Sequence, residues 1–98
     1  MRKTNTRQIQ RIKKQIVPIL KKYKVKRAGI FGSYARGEQK RNSDIDIIIK
    51  PPKGMGFGFV GIQMELEKKL RKKVDMVTYK YLSPYLRDKI LENEVRAI

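Results

Sequence analysis

The sequence predicts an α+β domain, with helices packed against one small β-sheet, on three observations. Short apolar runs of strand character stand at Val25 to Phe31, Asp44 to Lys50 and Val74 to Thr78. Between and around them lie longer segments whose apolar residues recur at helical spacing. At 98 residues the chain has room for one core and no second, so residues 1–98 are expected to form a single domain.

Residues 1–5 are polar and predicted to fray. From Thr6 to Tyr23 the apolar positions Ile9, Ile12, Ile16, Ile19, Leu20 and Tyr23 follow a helical period, with Lys and Arg on the other face. Pro18 removes a backbone donor inside that segment and is expected to kink or split the helix. The basic run after it reads first as a solvated helix end, where cations suit the dipole, with a nucleic-acid patch as the alternative. Strand one, Val25 to Phe31, ends at Gly32, and a short helical turn from Ser33 to Arg36 stops at Gly37. Glu38 to Ser43 form a polar loop. Strand two, Asp44 to Lys50, is closed by Pro51-Pro52.

The glycine-rich stretch that follows contains a literal G-x-G-x-x-G from Gly56 to Gly61, with Asp75 further on. A dinucleotide-binding fold is nevertheless not expected. Two prolines separate these glycines from the strand, the chain is too short for two mononucleotide halves, and Asp75 begins a strand instead of ending one. Phe57 and Phe59 are expected to pack on the core, with a partner contact as the alternative. Phe59, Ile62, Leu66 and Leu70 mark a second long helix that ends in a basic run and packs on the sheet. Strand three, Val74 to Thr78, carries Asp75, an acid that is costly to bury unless paired or metal-bound. Ser83-Pro84 supplies an N-cap and first-turn pair for a helix through Asn93, with Leu86 and Ile90 facing inward. Val95 to Ile98 add a short edge strand.

One stretch concentrates chemistry. It opens with Gly32-Ser33, a small-residue turn ending the first strand, and closes ten residues later with Asp44-Ile45-Asp46 at the head of the second. Side chains alternate along a strand, so Asp44 and Asp46 share a face while Ile45 and Ile47 take the other. Their Cα atoms would lie roughly 7 Å apart, close enough to reach two divalent ions about 3.5 to 4 Å apart. Neighbouring carboxylates repel unless cations neutralise them. With no Cys and no His in the chain, the donors suit a hard ion, Mg²⁺. Gly32 permits close backbone approach, and Ser33 offers a hydroxyl and an N–H at a helix start that attracts phosphate.

The formal charge is +16, from 25 Lys and Arg against 9 Asp and Glu, and attracts polyanions: nucleoside triphosphate, RNA or an acidic protein. Absent cysteine suits a reducing compartment, no apolar run spans a membrane, and no signal-peptide core opens the chain, so a cytoplasmic protein is expected.

Nearly the whole chain resembles the minimal nucleotidyltransferase (MNT) domains of the polymerase beta superfamily. The resemblance is carried by Ala28-Gly29-Ile30-Phe31-Gly32-Ser33-Tyr34-Ala35-Arg36-Gly37-Glu38, by Ser43-Asp44-Ile45-Asp46, by Lys73-Val74-Asp75-Met76-Val77-Thr78 and by Leu82-Ser83-Pro84-Tyr85-Leu86. It implies the nucleotidyltransferase fold, a polymerase beta palm-like arrangement with a small mixed β-sheet. It also implies two Mg²⁺ ions held by Asp44, Asp46 and Asp75, the third of which can help deprotonate the attacking hydroxyl. Gly32, Ser33 and Arg36 would hold the phosphates of ATP. MNT proteins of this size resemble the antitoxins of HEPN/MNT pairs, which implies transfer of AMP from ATP to a tyrosine of a HEPN toxin. A chain this short would borrow its acceptor site from such a partner or present an open one. The competing readings are a non-catalytic module that binds the toxin or RNA, and transfer to a small molecule or an RNA end.

Overall fold

The computed structural model describes residues 6–56 and 58–98 of the protein. Helix α1 runs from Thr6 to Lys22, strand β1 from Arg27 to Phe31, helix α2 from Gly32 to Arg36 and strand β2 from Ile45 to Lys50. Helix α3 covers Gly58–Leu70, strand β3 Val74–Thr78, a 3₁₀ turn Tyr79–Tyr81, helix α4 Pro84–Asn93 and strand β4 Val95–Arg96. The sheet order is β3-β2-β1-β4. β1 is antiparallel to both neighbours and β2 is parallel to β3, so the sheet is mixed and the fold α+β as expected.

One face of the sheet forms the core. Ile45, Ile47 and Ile49 of β2, Val74 and Met76 of β3 and Ala28 and Ile30 of β1 bury against Ile9, Ile12, Ile16 and Leu20 of α1 and Ile62 and Leu66 of α3. Each such burial is worth about 1.5–3 kcal/mol for the larger side chains. This seam holds α1 in one piece. Pro18 neither splits nor ends the helix, because Ile16, Val17, Ile19 and Leu20 around it all pack on the core. Pro18 itself is exposed, and its missing N–H costs a single bond.

Strand β1 starts at Arg27, two residues later than the apolar run suggests. The reason lies in how α1 stops. Val25 N–H donates to Leu20 O and Lys24 N–H to Lys21 O, at 3.0 and 2.9 Å, which closes the helix in a Schellman turn. That turn requires left-handed backbone, and Lys24 supplies it at φ 64° with a side chain that disfavours it. Lys24→Gly is therefore expected to stabilise the fold by about 0.5–1 kcal/mol, read as a Tm rise of about 3–6 °C in a thermal melt.

The G-x-G-x-x-G stretch does not follow directly on a strand: Pro51-Pro52 and a turn separate it from β2, and Gly58 is the first residue of α3. Gly54 and Gly56 sit in an open turn at φ 73° and 55°, and a side-chain carbon added at either would meet nothing within 4 Å, while Gly58 and Gly61 lie inside α3. Phe59 packs partly buried against the core as expected, and Phe57 lies outside the described residues. Helix α4 departs from expectation. None of its side chains is buried, Leu86 is 54% exposed, and Ile90 is only partly covered. The core is already filled on the other face of the sheet, so α4 rides over the opposite face without sinking into it. Its start is as predicted, with Ser83 Oγ accepting from Tyr85 N–H and Pro84 in the first turn.

Candidate active site

The topology delivers three strand ends to one place. Because β2 and β3 are parallel and β1 is antiparallel to β2, the end of β1 and the starts of β2 and β3 meet at one end of the sheet. Phe31 pairs with Asp46, and Asp46 pairs with Asp75. Residues in register point to the same face, and neighbouring strands lie about 4.8 Å apart, so the Asp46 and Asp75 carboxylates stand side by side. Ile45 and Ile47 are buried on the opposite face, which fixes the alternation. Asp44 lies just before β2 and is exposed.

Gly32 completes the corner. Its φ of 74° lies in the left-handed region, and a side-chain carbon there would stand 2.0 Å from Asp46 Oδ2. The chain thus turns from β1 into α2 directly against the carboxylate. Helix α2 is a single turn, anchored by buried Tyr34 and Ala35 and closed by Gly37, whose left-handed backbone lets Gly37 and Glu38 N–H donate to Tyr34 and Ser33 O. The Ser33 hydroxyl caps nothing and has no hydrogen-bond partner among the described residues. Arg36 is exposed, with its Nε donating to Glu38 Oε1 at 3.0 Å.

The polar loop before β2 is tied down on both sides. Lys40 N–H donates to Ser43 Oγ and Ser43 N–H to Lys40 O, while Lys72 Nζ donates to Arg41 O at 2.6 Å. At the start of β3, Val74 N–H donates to Glu67 Oε2 and Gln63 Nε2 donates to Val74 O, both at 2.9 Å. Side chains of α3 therefore clamp the residue next to Asp75 on an edge strand that lacks a neighbour there.

The electrostatics follow from this crowding. The Asp46 carboxyl is pushed up to about 6, first by burial and then by the nearby Asp75 and Asp44 charges, with Arg36 partly opposing. Asp75, by contrast, is exposed, so the burial cost that its strand position suggested does not arise. β3 is an edge strand, and this face of it borders an open groove of about 640 Å³ lined by Phe31, Val77, Leu82 and Leu86 beside Asp75. Among the described residues no three acidic side chains close into a ready-made metal cluster. The donor set still fits Mg²⁺. All its donors are oxygens, its charges are mutually unfavourable, and Mg²⁺ usually keeps waters and takes one or two carboxylates plus substrate phosphates instead of an all-protein cage.

A second polar cluster has no motif in the sequence. Glu94, whose side chain is 6% exposed, accepts from Tyr79 Oη and lies 3.9 Å from the Arg27 guanidinium, which itself stacks 4.3 Å above the Tyr79 ring. Gly29 must lack a side chain because Glu94 Oε2 would sit 2.1 Å from its first carbon. This clasp ties the end of α4 to β1 on the face that carries Asp46. Glu94→Ala is expected to cost about 2 kcal/mol or more, seen as a lower urea midpoint, because it strands the Tyr79 hydroxyl and Arg27 together.

An α+β sheet that sets paired carboxylates beside a Gly-Ser turn defines a scaffold for handling phosphoryl groups. The chain belongs to the polymerase beta nucleotidyltransferase family: the model of that family, "Polymerase beta, Nucleotidyltransferase", matches residues 14–96. It is 50% identical over 88 residues, 89% of this chain and 95% of the relative, to the Methanocaldococcus jannaschii protein named "Putative protein adenylyltransferase MJ0435". Among solved structures it is similar to one described as a "putative minimal nucleotidyltransferase", at TM-score 0.78 and 26% identity over 91% of this chain and 92% of that one. It is also similar to a chain of a toxin-antitoxin solved with AMP-PNP, at TM-score 0.73 and 25% identity over 88% of this chain and 72% of that one. The protein is thus an enzyme of the nucleotidyltransferase class with the fold the sequence implied.

Proposed function

We propose that this protein transfers AMP from ATP to a tyrosine of a HEPN-type toxin and so acts as its antitoxin, with residues 1–98 working as one minimal nucleotidyltransferase domain. The observation that carries this reading is the corner where Gly32 touches the Asp46 carboxylate while Asp75 stands in register beside it. The relatives' names support protein as acceptor, and the AMP-PNP complex of a similar chain supports ATP as donor.

In this reading Asp44, Asp46 and Asp75 would hold two Mg²⁺ ions, which when bound neutralise charge on the attacking and leaving oxygens. Gly32 leaves room for the β- and γ-phosphates to approach the backbone. Ser33 offers its unused hydroxyl and N–H to them, and Arg36 swings from Glu38 to a phosphate oxygen. The tyrosine oxygen attacks the α-phosphorus, the bond from that phosphorus to the bridging oxygen breaks, pyrophosphate leaves, and Asp75, the exposed carboxylate, takes the hydroxyl proton. The groove beside Asp75 gives the acceptor ring an apolar seat against Val77, Leu82 and Leu86. Such transfer rests on positioning and charge stabilisation, so a small scaffold suffices when the partner carries the acceptor.

The test is incubation with Mg²⁺ and ATP radiolabelled on the α-phosphate, with and without the product of the neighbouring gene. Label is expected on the partner's tyrosine and is expected to vanish in Asp44→Asn. A stable complex that never acquires label would instead make the protein a binding module on an enzyme's fold.

A further inference from the structure

The face of the molecule opposite the carboxylates is built differently from the rest. Helix α1 carries Arg7, Arg11, Lys13, Lys14, Lys21 and Lys22 and not one Asp or Glu. Helix α3, packed beside it, does carry acids, but both are already engaged by neighbouring groups, Glu65 at the surface and Glu67 at the start of β3. Glu65 accepts from Lys22 Nζ and Tyr23 Oη at 2.5 and 2.8 Å, and Glu67 accepts from Val74 N–H. The basic residues along the junction outnumber the acids: among the described residues Arg7, Arg11, Lys14, Lys68, Lys69 and Arg71 are all exposed and none has a carboxylate within ion-pair distance, although Lys68 lies near enough to Glu65 to help Lys22 and Tyr23 hold its carboxyl below the usual range. They line two shallow troughs of about 600 and 670 Å³ that share Lys14 and so run on from the α1–α3 junction along α1.

We propose that this α1–α3 face binds the phosphate backbone of double-helical RNA. Three features select that occupant. Cores of protein–protein interfaces are depleted of Lys and rich in aromatics, whereas these troughs are lined by six cations against one carboxylate, Glu65, and hold no aromatic ring. Single-stranded nucleic acid is held by stacking bases on aromatic side chains, and none is offered. What remains is a row of cations for phosphates, together with the amides of Gln10 and Gln15 in the same troughs, which can donate to and accept from 2′-hydroxyls. The face lies across the sheet from Asp46 and Asp75, so a bound RNA leaves the carboxylate corner open.

The probe is a fluorescent 20-base-pair RNA duplex, titrated by anisotropy in EDTA from about 50 to 200 mM salt, where each phosphate contact steepens the salt dependence by close to one log unit per log unit. The variant Lys14→Gln/Lys68→Gln/Lys69→Gln/Arg71→Gln is compared with Lys50→Gln/Lys53→Gln/Arg87→Gln/Lys89→Gln, which removes the same charge from exposed positions on other elements. The first is expected to bind about 10-fold or more weakly with a salt slope flatter by about three, and the second to lose less than about 3-fold. Equal losses in the two variants would reduce the effect to net charge and overturn the proposal. So would equal affinity of the native protein for a DNA duplex of the same sequence, for heparin or for polyglutamate. Should the first variant fail to fold, backbone amide shifts of the native protein on RNA titration decide instead. Shifts confined to α1 and α3 support the site, and shifts centred on residues 32–46 sink it.

Discussion

Asp46→Asn is expected to abolish nucleotidyl transfer, by about 10³-fold or more, and at the same time to make the protein more stable. The first effect follows from removing one of the carboxylates proposed to hold the metal ions that would offset charge in transfer. The second follows from Asp46's own situation in the metal-free protein: burial and the Asp75 and Asp44 charges hold its carboxyl at about 6, well above the ordinary carboxylate range. A group whose pKa is raised on folding adds stability while protonated and loses that contribution as pH climbs. The folded protein should therefore be most favoured, on this account, below about 3.8 and should lose the contribution between there and about 6. At pH 7 the ionised Asp46 costs about 1–2 kcal/mol after allowing for screening by water, and asparagine relieves it. Urea titrations of both proteins in EDTA at pH 5 and pH 7.5 check this. The gap between Asp46→Asn and the native protein should widen at the higher pH, and a gap that narrows would refute the account. Adding Mg²⁺ at pH 7.5 should raise the native Tm and leave the variant's nearly unmoved.

Gly32→Ala has the second largest expected effect, and it strikes the same corner from the backbone side. The residue sits at φ 74°, and the new methyl would overlap Asp46 Oδ2 at 2.0 Å. Two penalties combine. The left-handed backbone costs about 1–2 kcal/mol for a residue with a side chain, and the carboxylate must move out of the space it now shares with the turn. The expected result is a loss of about 1–3 kcal/mol in stability together with at least about 100-fold in transfer rate. A double variant separates the two causes. In Gly32→Ala/Asp46→Asn the clash remains but the charge is gone. Their stability effects should fail to add because the two residues touch. Strict additivity in a urea titration would show that the contact does not govern the corner.

Much of this corner was legible in the sequence because its logic is local. Period-two alternation sends Asp46 one way and Ile45 and Ile47 the other whatever the tertiary context, and Gly37 announces the end of α2 by the backbone it can adopt. The resemblance to the MNT domains joined Asp75 to Asp44 and Asp46, which no spacing could. Other features were not legible because they are decided by what lies across the fold. Pro18 reads as a helix breaker, yet a continuous seam of core contacts carries α1 past it. Leu86 and Ile90 have the spacing of an inward face, but the sheet had already filled its core on the other side. Asp75 reads as a buried acid until the strand order shows that its strand is the edge. The Glu94 clasp pairs residues far apart in the chain and has no motif at all; its one trace is Gly29, a glycine in mid-strand, which signals that something comes close without saying what.

The pairing of Phe31 with Asp46 and of Asp46 with Asp75 has a consequence for how a preparation of this protein should be judged. A slip of β2 by a single residue would turn its whole set of side chains over, sending Asp46 into the oily layer and Ile45 or Ile47 to the corner. No misaligned chain can thus be partly competent. The molar turnover of a sample becomes a census of correctly threaded sheets, and a refolded batch at half the specific activity should contain about half its molecules in native register and the remainder wholly inert, instead of a uniform population working at half speed.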